Sequence, residues 1–157
     1  MTEAHWPAVR EIFAEGIAAG NATFETSVPS WQDWDARHLG TCRLVALRDR
    51  EVLGWAALSP VSSRQVYRGV AEVSVYVAEN ARGHGIGTAL LVALVAESER
   101  NGIWTLQAVI HAGNSISIGA HEKAGFRIVG TRERIGCLHG GWLDTVLMEK
   151  RSGVVGV

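Results

Sequence analysis

Residues 70–91 read "VAEVSVYVAENARGHGIGTALL". The first nine alternate: Val73, Val75 and Val77 fall on one side, Glu72, Ser74 and Tyr76 on the other. A period of two with many β-branched residues predicts a strand over 70–78. Arg82 follows, then Gly83, Gly85 and Gly87 at alternate positions, then an apolar run with helical character. The first turn of a helix leaves its N–H groups unpaired, and the macrodipole is positive there. Glycines at that point let the backbone approach a guest closely, and phosphate is the natural one.

Three readings of such a loop compete with one another. A P-loop needs Gly-Lys-Ser/Thr after its glycines, and Gly87-Thr88 lacks the lysine. A dinucleotide loop needs GxGxxG on a first strand and an acid ending the next strand. Here the spacing is GxGxG on the third strand, and the next strand, "WTLQAVIH" (104–111), ends without Asp or Glu. A bare strand-to-helix turn needs one glycine, not three.

Outward from the loop, the chain divides readily. "EAHWPAVREIFAEGIAAG" (3–20) places Trp6, Val9, Phe13 and Ile17 at helical spacing, with Gly20 and Asn21 to close it. "PSWQDWDARHLG" (29–40) predicts a short helix capped by Ser30. "CRLVALR", the turn "DRE" and "VLGWAALS" predict a hairpin over 42–59, and 59–69 reads as a loop. A long helix runs from Ile86 to Gly102, a strand over 104–111, and a helix over 114–125 capped by Asn114 and stopped by Gly125. "FRIVGTRERIG" (126–136) and "WLDTVLMEK" (142–150) predict a closing antiparallel hairpin. A meander followed by one strand-helix-strand crossover gives a mixed sheet flanked by helices, an α/β or α+β layer fold.

At 157 residues the chain suits one domain, here 1–150, with a tail over 151–157. A net charge of −1 gives no electrostatic case for nucleic acid or an anionic membrane as partner. The longest apolar run, 86–96, is too short to span a bilayer. Cys42 and Cys137 form no CxxC pair, and the six histidines show no HxxxH or HxxEH spacing, so no metal is expected. Free thiols and the lack of a signal-like start predict a cytoplasmic protein.

"Arg82-x-x-Gly85-x-Gly87" resembles the coenzyme A pyrophosphate loop of the GCN5-related N-acetyltransferases. The "VSVYV" strand before it and "NSISIGAHEKAGF" after it extend the resemblance over roughly residues 4–150. Within that superfamily, "ATFET" (22–26), "AEVSVYV" (71–77), "AVIHAGNSISIGAHEKAGF" (108–126) and "HGGWLD" (139–144) are similar to the phosphinothricin and methionine sulfoximine acetyltransferases. One departure stands out. The family places a strand before its first helix, whereas Met1 lies almost at the start of that helix, so either the start is truncated or the sheet lacks its first edge strand.

The resemblance implies a mixed, mostly antiparallel sheet, acetyl-CoA as cosubstrate, a small amine as substrate and a homodimer. It implies that Arg82, Gly83, His84, Gly85, Ile86, Gly87 and Thr88 hold the pyrophosphate. It implies that the backbones of Val75, Tyr76 and Val77 meet the pantetheine arm and that Asn114 touches that arm; His121 stands where many members carry the tyrosine that protonates the departing thiolate and is the candidate acid, against plainer readings as a helix histidine hydrogen-bonded for structure or a residue that positions substrate. Glu72 stands out on its own as a carboxylate in a β-branched strand. It is the candidate general base, against a plain reading as an outward-facing solvated residue. Arg64, Tyr67 and Phe24 are candidates for the substrate pocket, Arg64 as a grip on a carboxylate. Trp142 and Asp144 are read at a dimer contact or pocket rim, with core packing an equal reading for the tryptophan. Two rivals stay open: acetylation of peptide or protein amines, and a CoA-binding module with no turnover.

Overall fold

A computed structural model describes residues 1–157. Its elements are α1 (Trp6–Ala18), α2 (Trp31–Arg37), β1 (Leu44–Arg48), β2 (Glu51–Pro60), β3 (Val70–Val77), α3 (Ile86–Arg100), β4 (Thr105–His111), α4 (Ser115–Lys123), β5 (Arg127–Leu138) and β6 (Gly141–Arg151). This is the expected order of elements. The six strands form one sheet in the order β1-β2-β3-β4-β6-β5, parallel only between β3 and β4, where α3 makes the crossover. No strand precedes α1, and β1 forms the sheet edge.

The strand alternation sorts side chains into two cores. On one face Ala56 and Leu58 of β2, Ala71 and Val73 of β3, Leu106, Ala108 and Ile110 of β4 and Met148 of β6 pack with Leu90, Leu91 and Leu94 of α3. On the other face Trp55 and Ala57 of β2 pack with Trp6, Val9, Ile12 and Phe13 of α1 and with Trp34 of α2. Trp34 is held tightly, 5.6 Å from Trp6 and Trp31, and in an edge-on contact 5.7 Å from Trp55. Such aromatic pairs add about 0.5–1.5 kcal/mol each beyond the area they bury. The tryptophans near the chain start therefore fasten two helices to the sheet. Ser30 caps α2, its hydroxyl oxygen accepting the Asp33 N–H at 3.1 Å.

Turn chemistry adjusts several boundaries. Asp49 takes φ +55°, so the first hairpin turns on Asp49–Arg50 and Glu51 already pairs with Arg48. The segment read as a loop is partly structured: β2 runs to Pro60 and a 3₁₀ turn forms at Gln65–Tyr67. His139 (φ +50°) and Gly140 (φ +81°) form a two-residue turn joining β5 to β6, which extends both strands beyond their expected ends. Between Arg132 and Gly136 the pairing of β5 slips by a bulge. There Arg134 sits at φ +47° and donates its N–H to the Asp144 carboxylate at 2.8 Å. Asp144 thus secures the bulge, while Trp142 lies 65% exposed rather than in a core.

The last residues fold back on the sheet. The Arg151 guanidinium donates to the carbonyls of Trp104, Ser152, Val155 and Gly156. The Ser152 hydroxyl donates to Glu99 at 2.8 Å.

Candidate active site

The parallel pairing of β3 with β4 lasts only from Val70–Thr105 to Glu72–Gln107. Beyond it β3 stays paired with β2 as far as Val77, and β4 stays paired with β6 as far as His111. The two central strands therefore part at Glu72. Along 73–77 every second N–H and C=O of β3 points into the opening instead of a ladder.

At the end of that opening the glycine loop begins. Gly83 (φ +80°) and Gly85 (φ +77°) occupy the left-handed region, and no heavy atom lies within 4 Å of where a Cβ would stand on either. Backbone conformation, not crowding, demands glycine there. Gly85 is the N-cap of α3 and has no side chain to satisfy the helix's first amides. Those amides face outward with the helix dipole behind them, which suits a pyrophosphate. The Arg82 Nε donates to the Val77 carbonyl at 3.3 Å, and the exposed guanidinium borders the loop.

On the sheet face that carries α1 and α2, a cavity of about 480 Å³ opens. Glu72, Ser74 and Tyr76 of β3, Trp55, Ser59 and Pro60 of β2, Phe13 of α1 and Trp34, Arg37 and His38 around α2 line it. Its size fits a small molecule. Burial pushes the Glu72 carboxyl above the usual carboxylate range, and the charge of Arg132 partly offsets this. Burial pushes the Tyr76 phenol up to about 12. Its ring stacks on Trp55 at 4.8 Å and lies against Gly16 of α1. His38 stacks on Trp34 at 3.9 Å and donates its Nδ1–H to the Trp34 carbonyl, and burial lowers its pKa. Arg37 pairs with Glu25 at 3.0 Å.

The other expected residues fall in distinct places. Asn114 caps α4, Oδ1 accepting the Ser117 N–H at 3.1 Å, while Nδ2 donates to the Asn21 carbonyl. His121 is 2% exposed, and its Nδ1–H donates to the Ser117 carbonyl at 2.8 Å. That bond fixes the neutral tautomer with a lone pair on Nε2, which is buried without a partner, and burial lowers the ring's pKa. Phe24 lies outside the cavity lining. Its ring rests on His111 at 4.4 Å and fills the space that a side chain on Gly136 would need. Arg64 and Tyr67 also lie outside the lining, exposed and stacked on each other at 5.7 Å.

Sequence reading missed Trp34, Trp55, Ser74 and His38. Ser74 was available from the alternation, since it shares a face with Glu72 and Tyr76. The others reach the site from distant segments with no local pattern. The chain gathers no group of three or more His, Cys, Asp or Glu suited to a metal, and no helix is long and apolar enough to cross a membrane.

Comparison with known proteins fits this geometry. Residues 6–126 match the model of the acetyltransferase (GNAT) family. A phosphinothricin N-acetyltransferase of Alcaligenes faecalis is 37% identical over 151 residues, covering 92% of this chain and 76% of that protein. An L-methionine sulfoximine/L-methionine sulfone acetyltransferase of Pseudomonas aeruginosa is 34% identical, covering 91% and 87%. Among solved structures, a phosphinothricin acetyltransferase from Sinorhizobium meliloti in complex with acetyl-CoA superposes with a TM-score of 0.90 at 34% identity, covering 99% and 88%. A ribosomal-protein-alanine N-acetyltransferase from Brucella melitensis superposes with a TM-score of 0.89 at 35% identity, covering 97% of each chain. The strand-loop-helix unit, the parting of β3 from β4 and these matches lead to one conclusion: the chain belongs to the GNAT acetyltransferase family.

Proposed function

We propose that the protein transfers the acetyl group of acetyl-CoA to the amine of a small amino-acid-like substrate, of the phosphinothricin or methionine sulfoximine and sulfone type, with Glu72 as general base. The observation that carries the reading is the position of Glu72, on the cavity wall at the point where β3 and β4 part. Acetyl-CoA supplies a thioester carbonyl in the opening, and the open amides of α3 suit its pyrophosphate. The amine reaches the site as an ammonium, and Glu72 takes one proton from it, directly or through a water. A carboxylate raised by burial is a better base than an exposed one, which suits this task. The free amine then forms its bond to the carbonyl carbon. An N–H on the free edge of β3 meets the charge developing on the carbonyl oxygen, a contact typically worth about 3–4 kcal/mol. The C–S bond breaks, and the second proton that the nitrogen sheds as the amide forms goes to the departing thiolate, directly or through a water, so that CoA leaves as the thiol. For His121 to supply that proton instead, it must first take a second proton at Nε2, and its burial opposes this.

Transfer is direct in this reading. Cys42 is buried in the core on the opposite face, and Cys137, on β5, does not line the cavity. The likeness to a ribosomal-protein-alanine acetyltransferase favours a second reading, acetylation of a peptide amine. A homodimer is the expected assembly, checked by light scattering in solution.

A thiol-release assay with acetyl-CoA and a panel of amines tests the function. The panel holds phosphinothricin, methionine sulfoximine, methionine sulfone, free amino acids, polyamines and an alanine-started peptide. Release selective for the sulfone- and phosphinate-bearing amino acids supports the proposal. Release with the peptide alone moves the activity to protein acetylation. No release with any amine contradicts both.

A further inference from the structure

We infer that Arg37 is a specificity-determining residue whose guanidinium receives an anionic group at the end of the substrate side chain, while the reacting amine lies at Glu72. The inference rests on the function proposed above and deepens it by naming the substrate class: amino acids whose side chain ends in an acid, as in phosphinothricin, over those that end in a neutral sulfone.

Three charged side chains line the cavity, Glu25, Arg37 and Glu72, and Arg37 is the one lysine or arginine in the lining. His38 beside it is held toward its neutral form by burial. An acid group that enters the cavity, and gives up water to do so, therefore has one cation to meet. Arg64 and Arg68 lie outside the lining, the first stacked on Tyr67 and the second over Trp104 at 5.3 Å.

Glu72 stands half-buried on the sheet, where β3 and β4 part. Arg37 ends α2, which packs on that sheet through Trp34, and its side chain is 52% exposed at the cavity mouth. Charges on the floor and at the mouth suit a substrate whose amine and acid are separated by a side chain. The guanidinium is already oriented. Its Nε donates to the Asp33 carbonyl one turn earlier at 3.2 Å, Nη1 donates to Glu25 at 3.0 Å, and Nη2 makes no hydrogen bond. An exposed ion pair such as Arg37–Glu25 is weakly held. Glu25 can thus give way to a substrate oxygen, and the two terminal nitrogens then match the two oxygens of a phosphinate.

The test compares phosphinothricin with L-methionine sulfone, which share the amino-acid end and differ in the charge of the head. Wild type, Arg37→Gln, Arg37→Lys and Glu25→Gln are measured. KM is read by thiol release, and affinity in the presence of CoA by calorimetry, so the result does not depend on turnover. Thermal unfolding of each variant checks that it folds. Arg37→Gln is expected to weaken phosphinothricin about 10- to 100-fold and the sulfone by no more than about threefold. Arg37→Lys is expected to recover part of the loss, as a point charge without the fork. Glu25→Gln removes the competing carboxylate and is expected to tighten phosphinothricin about two- to fivefold. Equal weakening of both ligands by Arg37→Gln, or of neither, overturns the inference. So does a wild type that binds neither ligand, or a Glu25→Gln variant that weakens phosphinothricin as Arg37→Gln does. Binding of phosphinothricin that depends on Arg37, without thiol release, retains the inference and rejects acetyl transfer to that substrate.

Discussion

Replacing Gly16 with alanine places a methyl carbon 2.7 Å from both Cδ1 and Cε1 of Tyr76. In an exposed helix interior the same change is stabilising by about 1 kcal/mol, because alanine loses less backbone entropy than glycine. Here the opposite sign is expected. The Tyr76 ring has little room to retreat, lying 4.8 Å from Trp55 at 20° and 4.9 Å from Phe13. Overpacking costs about 1–3 kcal/mol, and a contact this short against a confined ring puts it in the upper part of that range, about 2–3 kcal/mol. Against the propensity gain, the net destabilisation is about 1–2 kcal/mol. For a chain of this size that lowers Tm by about 2–8 °C, at 2–4 °C per kcal/mol. Because Tyr76 lines the cavity, activity falls as well. The assay is thermal unfolding of Gly16→Ala in wild type and in a Tyr76→Leu background, where the obstructing ring is gone. In the second background the alanine is expected to be neutral or stabilising. A wild-type Tm that stays level or rises on Gly16→Ala refutes the close packing of Gly16 against the Tyr76 ring.

Gly85→Ala forces a side chain into a left-handed conformation at the mouth of α3, at a cost of about 1–2 kcal/mol. Equilibrium unfolding should show that loss, and the KM for acetyl-CoA should rise while saturating turnover changes less. Removing the Arg132 charge with Arg132→Gln takes away the influence that lowers the Glu72 pKa, so the acid limb of the kcat/KM profile moves to higher pH. Burial lowers the pKa of His38, His111 and His121 in the folded chain. Between the lowered values and the ordinary 6.5 the unfolded chain binds more protons, so stability falls as pH drops below about 6.5. Denaturant titrations at several pH values check this, and His121→Gln should flatten the slope.

The fold was legible wherever local pattern and tertiary role agree. The alternation around Glu72, the left-handed glycines before α3, Ser30 at α2 and Asn114 at α4 each act through neighbours within a few residues, and each appears where the pattern places it. Boundaries were less legible where a non-glycine residue takes positive φ, as at Asp49, Arg134 and His139, since nothing local marks that choice. The cavity was half visible. Its β3 wall follows from the period of the strand. Its other walls come from α1, α2 and β2, through an aromatic cluster whose members are up to 70 residues apart in sequence. Arg64 looked suitable by type and by nearness in sequence, and the structure instead places it on Tyr67.

The central claim is that Glu72 removes the amine proton. Its most direct test is Glu72→Gln, which keeps the shape and removes the charge. Turnover with the best amine of the panel is measured across pH, beside acetyl-CoA affinity by calorimetry. A fall in kcat of about 10²- to 10⁴-fold is expected, with acetyl-CoA binding nearly unchanged. A Gln variant that keeps full turnover across the pH range contradicts it.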